Sequence, residues 1–352
     1  MQVYINGRFL VQRITGVQRF AREIIKMLDH QLDIKCTILV PSEFQGWDSF
    51  QNIKIKKIGK LSGHLWEQLE LPLYVKGRPL INLCNTGPVF KRNQIITIHD
   101  AAVYASPQGF SKLFRVWYKT MFFFFRLLSR KILTVSEFSK NELVKYLKVN
   151  SDKLKTISEG KEHFDKIKED DSILPKMKLK KNCYILAVSS MNPNKNFQTL
   201  VETTQYLKDE SFEIVIAGGT DCRVFNRVNL TNENIKHAGY VTDEELKSLY
   251  MHAGCFVFPS VYEGFGLPPL EAMSVGCPIL VSNVGPMPEV AGEAAVYFNP
   301  YDSKDLAQKI KYVMNNDEVK NKLKEAGLKQ ADKFSWKTVA TQLIGHIKQL
   351  DL

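Results

Sequence analysis

The chain reads as α/β, with two domains that are each a parallel sheet layered with helices. Three observations predict this. At 352 residues the chain is longer than one ordinary core accommodates. Short β-branched runs alternate with amphipathic stretches throughout, which is the pattern of parallel α/β layers. The alternation lapses once, over the polar, mixed-charge residues 165–181, and then restarts.

In the first half, strands are expected at Val3–Ile5, Cys36–Val40, Ile53–Ile58, Leu80–Leu83, Ile95–Ile98, Ile132–Val135 and Leu154–Ile157. One helix spans Gln18–Leu28, where Phe20, Ile24 and Leu28 recur at helical spacing. Another starts at Ser136 and runs to about Leu147. The second half repeats the plan. Its strands fall at Tyr184–Val188, Glu213–Ala217, Ile235–Ala238, Cys255–Pro259, Pro278–Ser282 and Ala295–Phe298. Its helices lie near Phe197–Leu207, Asp243–His252, Pro269–Val275, Leu306–Met314 and Val319–Lys329. The division expected is 1–175, then 176–332, with a linker inside Asp165–Lys181. Residues 333–352 hold one more helix, Trp336–Leu350, long enough to fold back across the first domain.

Composition is that of a soluble globular chain, 44% hydrophobic and 24% charged. Six scattered cysteines without a C-x-x-C pair argue against zinc and a disulfide framework, and for a reducing compartment. The opening Met1-Gln-Val-Tyr-Ile-Asn-Gly reads as a strand, not as a signal peptide. No apolar run reaches the roughly 18 residues that span a bilayer. The location expected is therefore cytoplasmic, either free or peripheral on the inner face of the cell membrane. The net charge of +11 lies wholly in one half: residues 1–182 hold 32 Lys+Arg against 17 Asp+Glu, and residues 183–352 hold 16 against 20. A basic half suits nucleic acid, an anionic membrane or a phosphorylated substrate, and charge alone does not choose.

Four motifs fall at strand ends, where open α/β sheets take ligands. The first is Phe258-Pro-Ser-Val-Tyr-Glu263-Gly-Phe265-Gly266-Leu267-Pro-Pro-Leu-Glu271. A strand ends, a glycine loop follows, and prolines open a helix. Such a helix start is a ready diphosphate site, and two carboxylates beside it suit sugar hydroxyls. The second is Ile185-Leu-Ala-Val-Ser-Ser-Met-Asn192-Pro-Asn194-Lys195-Asn196, which delivers a lysine, a point charge suited to a diphosphate. The third is Ile95-Ile-Thr-Ile-His99-Asp100. The fourth joins Asn6-Gly7-Arg8 to Thr15-Gly16-Val17-Gln18-Arg19. Taken singly, each is equally a capped helix, a solvated lysine or a satisfied core histidine.

Together they resemble the retaining, GT-B-fold glycosyltransferases of family 4, also called group 1, over essentially the full length. The resemblance is strongest over 185–300. It implies two Rossmann-like domains facing across a cleft, the first for the acceptor and the second for a nucleotide sugar, with the C-terminal helix crossing back to the first. It implies that Glu263 contacts the transferred sugar and Glu271 the ribose. Backbone amides of Phe265, Gly266 and Leu267 would hold sugar and phosphate. Lys195 binds the diphosphate, His99 the donor sugar at the cleft edge, and Gly16 lies against the diphosphate. The loop at Val241 meets the base. The family usually carries Arg-Lys where this chain has Asn194-Lys195. Either Lys195 with the helix dipole suffices, or a basic residue such as Arg19 substitutes. Asp100 orients the imidazole or faces the acceptor.

No D-x-D pair requires a donor-bound metal, so no metal or cofactor is expected, only a nucleotide-diphosphate sugar as substrate. The acceptor implied is a glycan or lipid-diphosphate-linked chain of bacterial surface polysaccharide, taking a hexose of the mannose type. A sugar phosphorylase or nucleotide-sugar hydrolase on the same architecture is the alternative. A nucleic-acid binder lacks a recognised motif, and an oxidoreductase lacks G-x-G-x-x-G after a strand. Residues 111–131 are basic and aromatic with no acid between Asp100 and Glu137. This composition fits either a helix at a membrane interface or a packing helix whose lysines reach out from its rim.

Overall fold

The computed structural model describes residues 2–30, 34–46, 50–188, 192–218 and 235–350. Ser189, Ser190 and Met191 of the second motif, Gly219 and Cys222 lie outside the described residues. The chain divides into two compact units, residues 1–160 with 335–352, and residues 161–334.

Unit 1 holds one sheet of β1 (Gln2–Asn6), β2 (Lys35–Val40), β3 (Lys54–Lys57), β4 (Leu80–Asn82), β5 (Gln94–Thr97), β6 (Lys131–Thr134) and β7 (Leu154–Thr156). The order is β3-β2-β1-β4-β5-β6-β7, and every pairing is parallel. Parallel strands covered on both faces need near-continuous apolar runs. Val3, Ile5, Ile38, Ile81, Ile95, Ile96, Ile132 and Leu133 are accordingly all buried.

Helix α1 (Gly16–Asp29) opens on a capping box of Thr15 and Gln18. It begins two residues before the apolar spacing suggests, because that cap sits at Thr15. Its Phe20, Ile24 and Leu28 are buried. A helical run follows from Gly63–Leu65 through a π turn, Trp66–Glu70, to Leu71–Val75, together α2. Helix α3 (Lys112–Leu128) buries Met121, Phe122 and Phe125. It turns Leu113, Val116, Phe123 and Leu127 outward in one stripe. Helix α4 (Glu137–Leu147) is capped by Ser136, whose Oγ accepts from Ser139 N at 2.9 Å.

Unit 2 holds β8 (Tyr184–Val188), β9 (Glu213–Ala217), β10 (Ile235–Gly239), β11 (Cys255–Phe258), β12 (Ile279–Ser282) and β13 (Ala295–Phe298). They are ordered β10-β9-β8-β11-β12-β13, again parallel. Its helices include α5 (Phe197–Thr203), α6 (Asp243–His252), α7 (Leu267–Ser274), α8 (Ser303–Met314) and α9 (Asp317–Ala331). Helix α5 is shorter than its pattern suggests, since Thr204–Tyr206 tightens into a 3-10 turn. One core joins Ile185, Val257 and Leu280 of the sheet to Leu306, Ile310 and Leu323 of α8 and α9.

Residues 161–175 group with unit 2, so the division falls at Gly160, ahead of the expected 175. The reason is local. Phe164 is fully buried, with its ring 5.8 Å from that of Tyr250. Lys247 Nζ on α6 donates to Phe164 O and Ile167 O, and Ser248 Oγ to Asp171 at 2.6 Å. Asp171 of this polar stretch is thus a partner of α6, and the stretch does not form a free linker.

The last helix, α10 (Trp336–Lys348), belongs to unit 1. Trp336 is fully buried, 5.9 Å from the Phe20 ring. Gly160 lies so close that a Cβ there would meet the Trp336 backbone nitrogen. Backbone does not yield as a side-chain end does, so Gly160→Ala should destabilise unit 1 by about 1–3 kcal/mol. Urea unfolding checks this, and an unchanged midpoint would remove the close-packing argument.

Candidate active site

In each sheet the strand order reverses beside the first strand, between β1 and β4 and between β8 and β11. Loops leaving neighbouring strands there part in opposite directions and open a crevice.

In unit 2 the two loops at that point are fastened together. After β8, Asn192 caps a 3-10 turn, Pro193–Lys195. Asn196 then adopts a left-handed backbone, φ 51°, and its Nδ2 donates to Pro259 O and Pro300 O. The amide of Val261 donates to Asn194 O at 2.8 Å. This registration brings Lys195 Nζ to 2.6 Å from Glu263 Oε1 and 5.3 Å from the Phe258 ring centre. The pair is largely but not wholly buried, the side chains 21% and 15% exposed. Asn194 is buried.

The glycine loop follows. Gly266 takes φ 110°, and a Cβ there would strike the Met287 methyl. This left-handed cap starts α7 at Leu267, not Pro269 as the prolines suggest. Glu271 consequently stands on the second turn of α7, not the first. Pro268 and Pro269 carry no N–H, so the donors at this helix start are the preceding amides of Phe265, Gly266 and Leu267. The Phe265 ring is held edge-on by Phe334 at 5.6 Å.

Glu271 is not an open carboxylate. It is buried, and Oε1 lies 2.9 Å from His163 Nε2. Burial, and then the charge of Glu271, push the neighbouring Tyr250 phenol well up. Val241 lies in the loop after β10, ahead of α6, where Gly218 N donates to Gly239 O at 2.7 Å.

In unit 1, His99 follows β5 and is 4% exposed. Its ring lies 4.7 Å from that of Phe20. Nε2 lies 2.9 Å from Leu83 O. A carbonyl only accepts, so Nε2 carries the proton and Nδ1 is the acceptor. Burial pushes the imidazole down to about 4, against that hydrogen bond. Asp100 Oδ1 accepts from Ala102 N at 2.8 Å. Gly16 and Arg19 stand on the first turn of α1, and nothing lies within 4 Å of a Cβ at Gly16.

A family model described as glycosyl transferases group 1 matches residues 169–330. The O-antigen chain mannosyltransferase B of Escherichia coli is 34% identical over 96% of this chain and 97% of its own length. The chain belongs to the group 1 glycosyl transferases. Among solved structures, the sucrose-phosphate synthase of Thermosynechococcus elongatus superposes with a TM-score of 0.77 at 17% identity, covering 99% of this chain and 98% of that one. Anabaena HepE in complex with UDP-glucose gives 0.74 at 13%, with 99% of both chains covered. At such identities the likeness speaks for fold alone. The fold of this group 1 glycosyl transferase is GT-B.

Within unit 2 of this glycosyl transferase, the expected Asn194, Lys195, Glu263, Phe265, Gly266, Leu267 and Glu271 fall on two fastened loops and the helix they feed. His99, Asp100, Gly16 and Arg19 belong to unit 1. Two groups escaped sequence reasoning. His163 lies just ahead of the stretch that reads as a linker and carries no motif. Glu67 of unit 1 has its partner Arg8 59 positions away.

The sign of the His99 effect is fixed by its depressed value. The unfolded imidazole takes a proton near 6.5, but the folded one resists until about 4. Its stabilisation is therefore complete above 6.5 and is lost as pH falls through that window, by about 3 kcal/mol. Stabilities of the wild type and His99→Gln, measured by urea across this range, should converge by that amount. Parallel pH profiles would refute the assignment.

Proposed function

We propose that this group 1 glycosyl transferase is a retaining, metal-independent hexosyltransferase. It moves a sugar of the mannose type from a nucleoside diphosphate sugar to a hydroxyl of a glycan or lipid-diphosphate-linked acceptor. It serves lipopolysaccharide O-antigen synthesis, or else capsule or exopolysaccharide, from the cytoplasmic face of the membrane. The observation that carries the reading is the Lys195–Glu263 contact at the strand-order reversal of unit 2. A cation for a diphosphate and a carboxylate for a sugar stand side by side there. The name of the E. coli relative supports mannose and the O-antigen. The UDP-glucose complex of the Anabaena neighbour supports a nucleotide-sugar donor.

In this reading the diphosphate lies against Lys195 and the amides of Phe265, Gly266 and Leu267, with Glu271 on the ribose. An acceptor hydroxyl attacks the anomeric carbon on the face the diphosphate leaves. The carbon–oxygen bond to phosphate breaks, the hydroxyl proton passes to a phosphate oxygen, and configuration is kept. Glu263 stabilises the positive charge that grows on the sugar. Lys195 and the amides balance the charge of the leaving group, the part a metal would otherwise take.

Unit 1 faces an anionic membrane in this proposal. Among the described residues no helix is long and apolar enough to cross one. Helices α2 and α3 do expose apolar stripes, Leu65, Leu69 and Leu73 on one and Leu113, Val116, Phe123 and Leu127 on the other. Lys112, Arg115 and Lys119 lie on the same α3 helix. Exposed apolar surface beside basic residues suits a headgroup layer.

Lys195→Ala should lower kcat/KM by about a hundredfold to a thousandfold, while chelation by EDTA leaves turnover unchanged. Both are read by radiolabelled GDP-mannose and UDP-sugar transfer to a lipid-linked glycan. Near-normal turnover in Lys195→Ala would sink the diphosphate assignment, and loss on chelation the metal-free one. Separately, the protein should co-sediment with vesicles containing phosphatidylglycerol, and less so after Phe123→Ser with Leu127→Ser. Binding that ignores both lipid charge and these residues would dismiss the membrane face.

A further inference from the structure

Glu271 stands on the second turn of α7, behind the glycine loop, and His163 is its partner. Both are nearly out of water, the His163 side chain 2% exposed and that of Glu271 7%. Oε1 of Glu271 lies 2.9 Å from His163 Nε2. A carboxylate only accepts, so the proton between them belongs to Nε2. Oε2 has no side-chain partner among the described residues. The Tyr250 phenol feels the same charge but makes no hydrogen bond among the described residues. His163 is thus the side chain that holds this carboxylate.

His163 is itself held from several sides. It lies in the helical turn Glu162–Asp165, where the chain enters unit 2. Its ring meets that of the fully buried Phe164 edge-on, centre to centre 5.6 Å. Phe164 O accepts from Lys247 Nζ on α6 at 3.0 Å. Lys161 Nζ, one residue ahead of the turn, lies 3.1 Å from Asp165 and 3.2 Å from Asp332 at the end of α9. The turn cannot shift without breaking bonds to α6 and to the close of α9.

Two roles compete for such a pair. A tie that only secures the fold would use the whole carboxylate, because a charge out of water needs its acceptor sites met. Here one oxygen is fixed and the other has no protein partner. A glutamate side chain turns about several bonds, so aiming one oxygen at a ligand requires that the other be held. The group it would meet is a donor, since an ionised carboxylate offers only acceptors. A pair of neighbouring sugar hydroxyls answers that description, and a phosphate does not.

We infer that His163 is a positioning residue for the nucleotide: it fixes Glu271 so that the carboxylate accepts from the ribose hydroxyls, and the site thereby selects a nucleoside diphosphate whose ribose carries both. His163 reaches the nucleotide only through Glu271. The inference rests on the reading of Glu271 as the ribose ligand. It makes the turn by which the chain enters unit 2 a part of the donor site.

The test is calorimetric titration of the full chain with GDP and UDP, each beside its dideoxyribose analogue. The wild type should prefer the intact ribose by about tenfold or more. His163→Ala should shrink that preference to about twofold, by weakening the intact nucleotide and not the analogue. His163→Gln, whose amide can donate from the place of Nε2, should restore it. If His163→Ala does not fold, His163→Asn, too short to reach Glu271, should show the same loss. In transfer assays donor KM should rise about tenfold in His163→Ala, with kcat within about twofold. A wild-type preference in His163→Ala would overturn the inference and spare Glu271 as the ribose ligand. Loss in His163→Ala without recovery in His163→Gln would mark a packing role and overturn it too. A wild type that binds nucleotide and ignores the ribose hydroxyls would sink the reading of Glu271, and the inference with it.

Discussion

A parallel sheet delivers the last residue of every strand to one edge, and this constraint organises both units. Backbone hydrogen bonds set the register, so that edge cannot be altered one strand at a time. Whatever chemistry the chain performs has to be hung on the loops leaving it. In unit 2 the loops after β8 and β11 meet because Val261 donates to Asn194 and Asn196 reaches Pro259. Those bonds bring Lys195 and Glu263 into contact. In unit 1 the same edge brings Asn6 at the end of β1 to Asn82 at the end of β4, 3.0 Å apart.

The two edges solve an electrostatic problem in different ways. Glu67 is out of water altogether, and a lone carboxylate there would be very costly. Three polar neighbours, Asn6, His64 and Thr86, and the Arg8 guanidinium meet that cost, which makes the cluster stiff. Lys195 and Glu263 keep some contact with solvent, so each remains free to exchange its partner for a ligand of matching charge. A stiff neutral cluster suits a scaffold, and a pair able to exchange partners suits a site through which charge passes.

The strands were legible because burial on both faces demands uninterrupted β-branched runs, and such runs are conspicuous in any sequence. Lys195, Glu263 and the glycine loop were legible because chemistry and backbone geometry compress them into short segments. What sequence hid was long-range or conformational. The left-handed cap at Gly266 moved the helix start, and with it the place of Glu271, since prolines mark where a helix is tolerated and not where it begins. His163 meets Glu271 across 108 positions, and no local pattern announces that. The polar stretch after residue 165 looked like a linker because Asp171 has its partner on α6, nearly eighty residues further on.

The chain enters unit 2 at Lys161 and leaves it at Phe334, and these two residues are bonded to each other, Lys161 N to Phe334 O. Unit 2 is therefore an insertion whose ends meet, carried inside the sequence of unit 1. Synthesis runs from the amino end, and domains fold as units while it proceeds. All of unit 2 thus leaves the ribosome ahead of Trp336, on which Phe20 and Gly160 close. Until then the α1 face of unit 1 stands open. The unit whose synthesis begins first is thus the last to receive its closing helix.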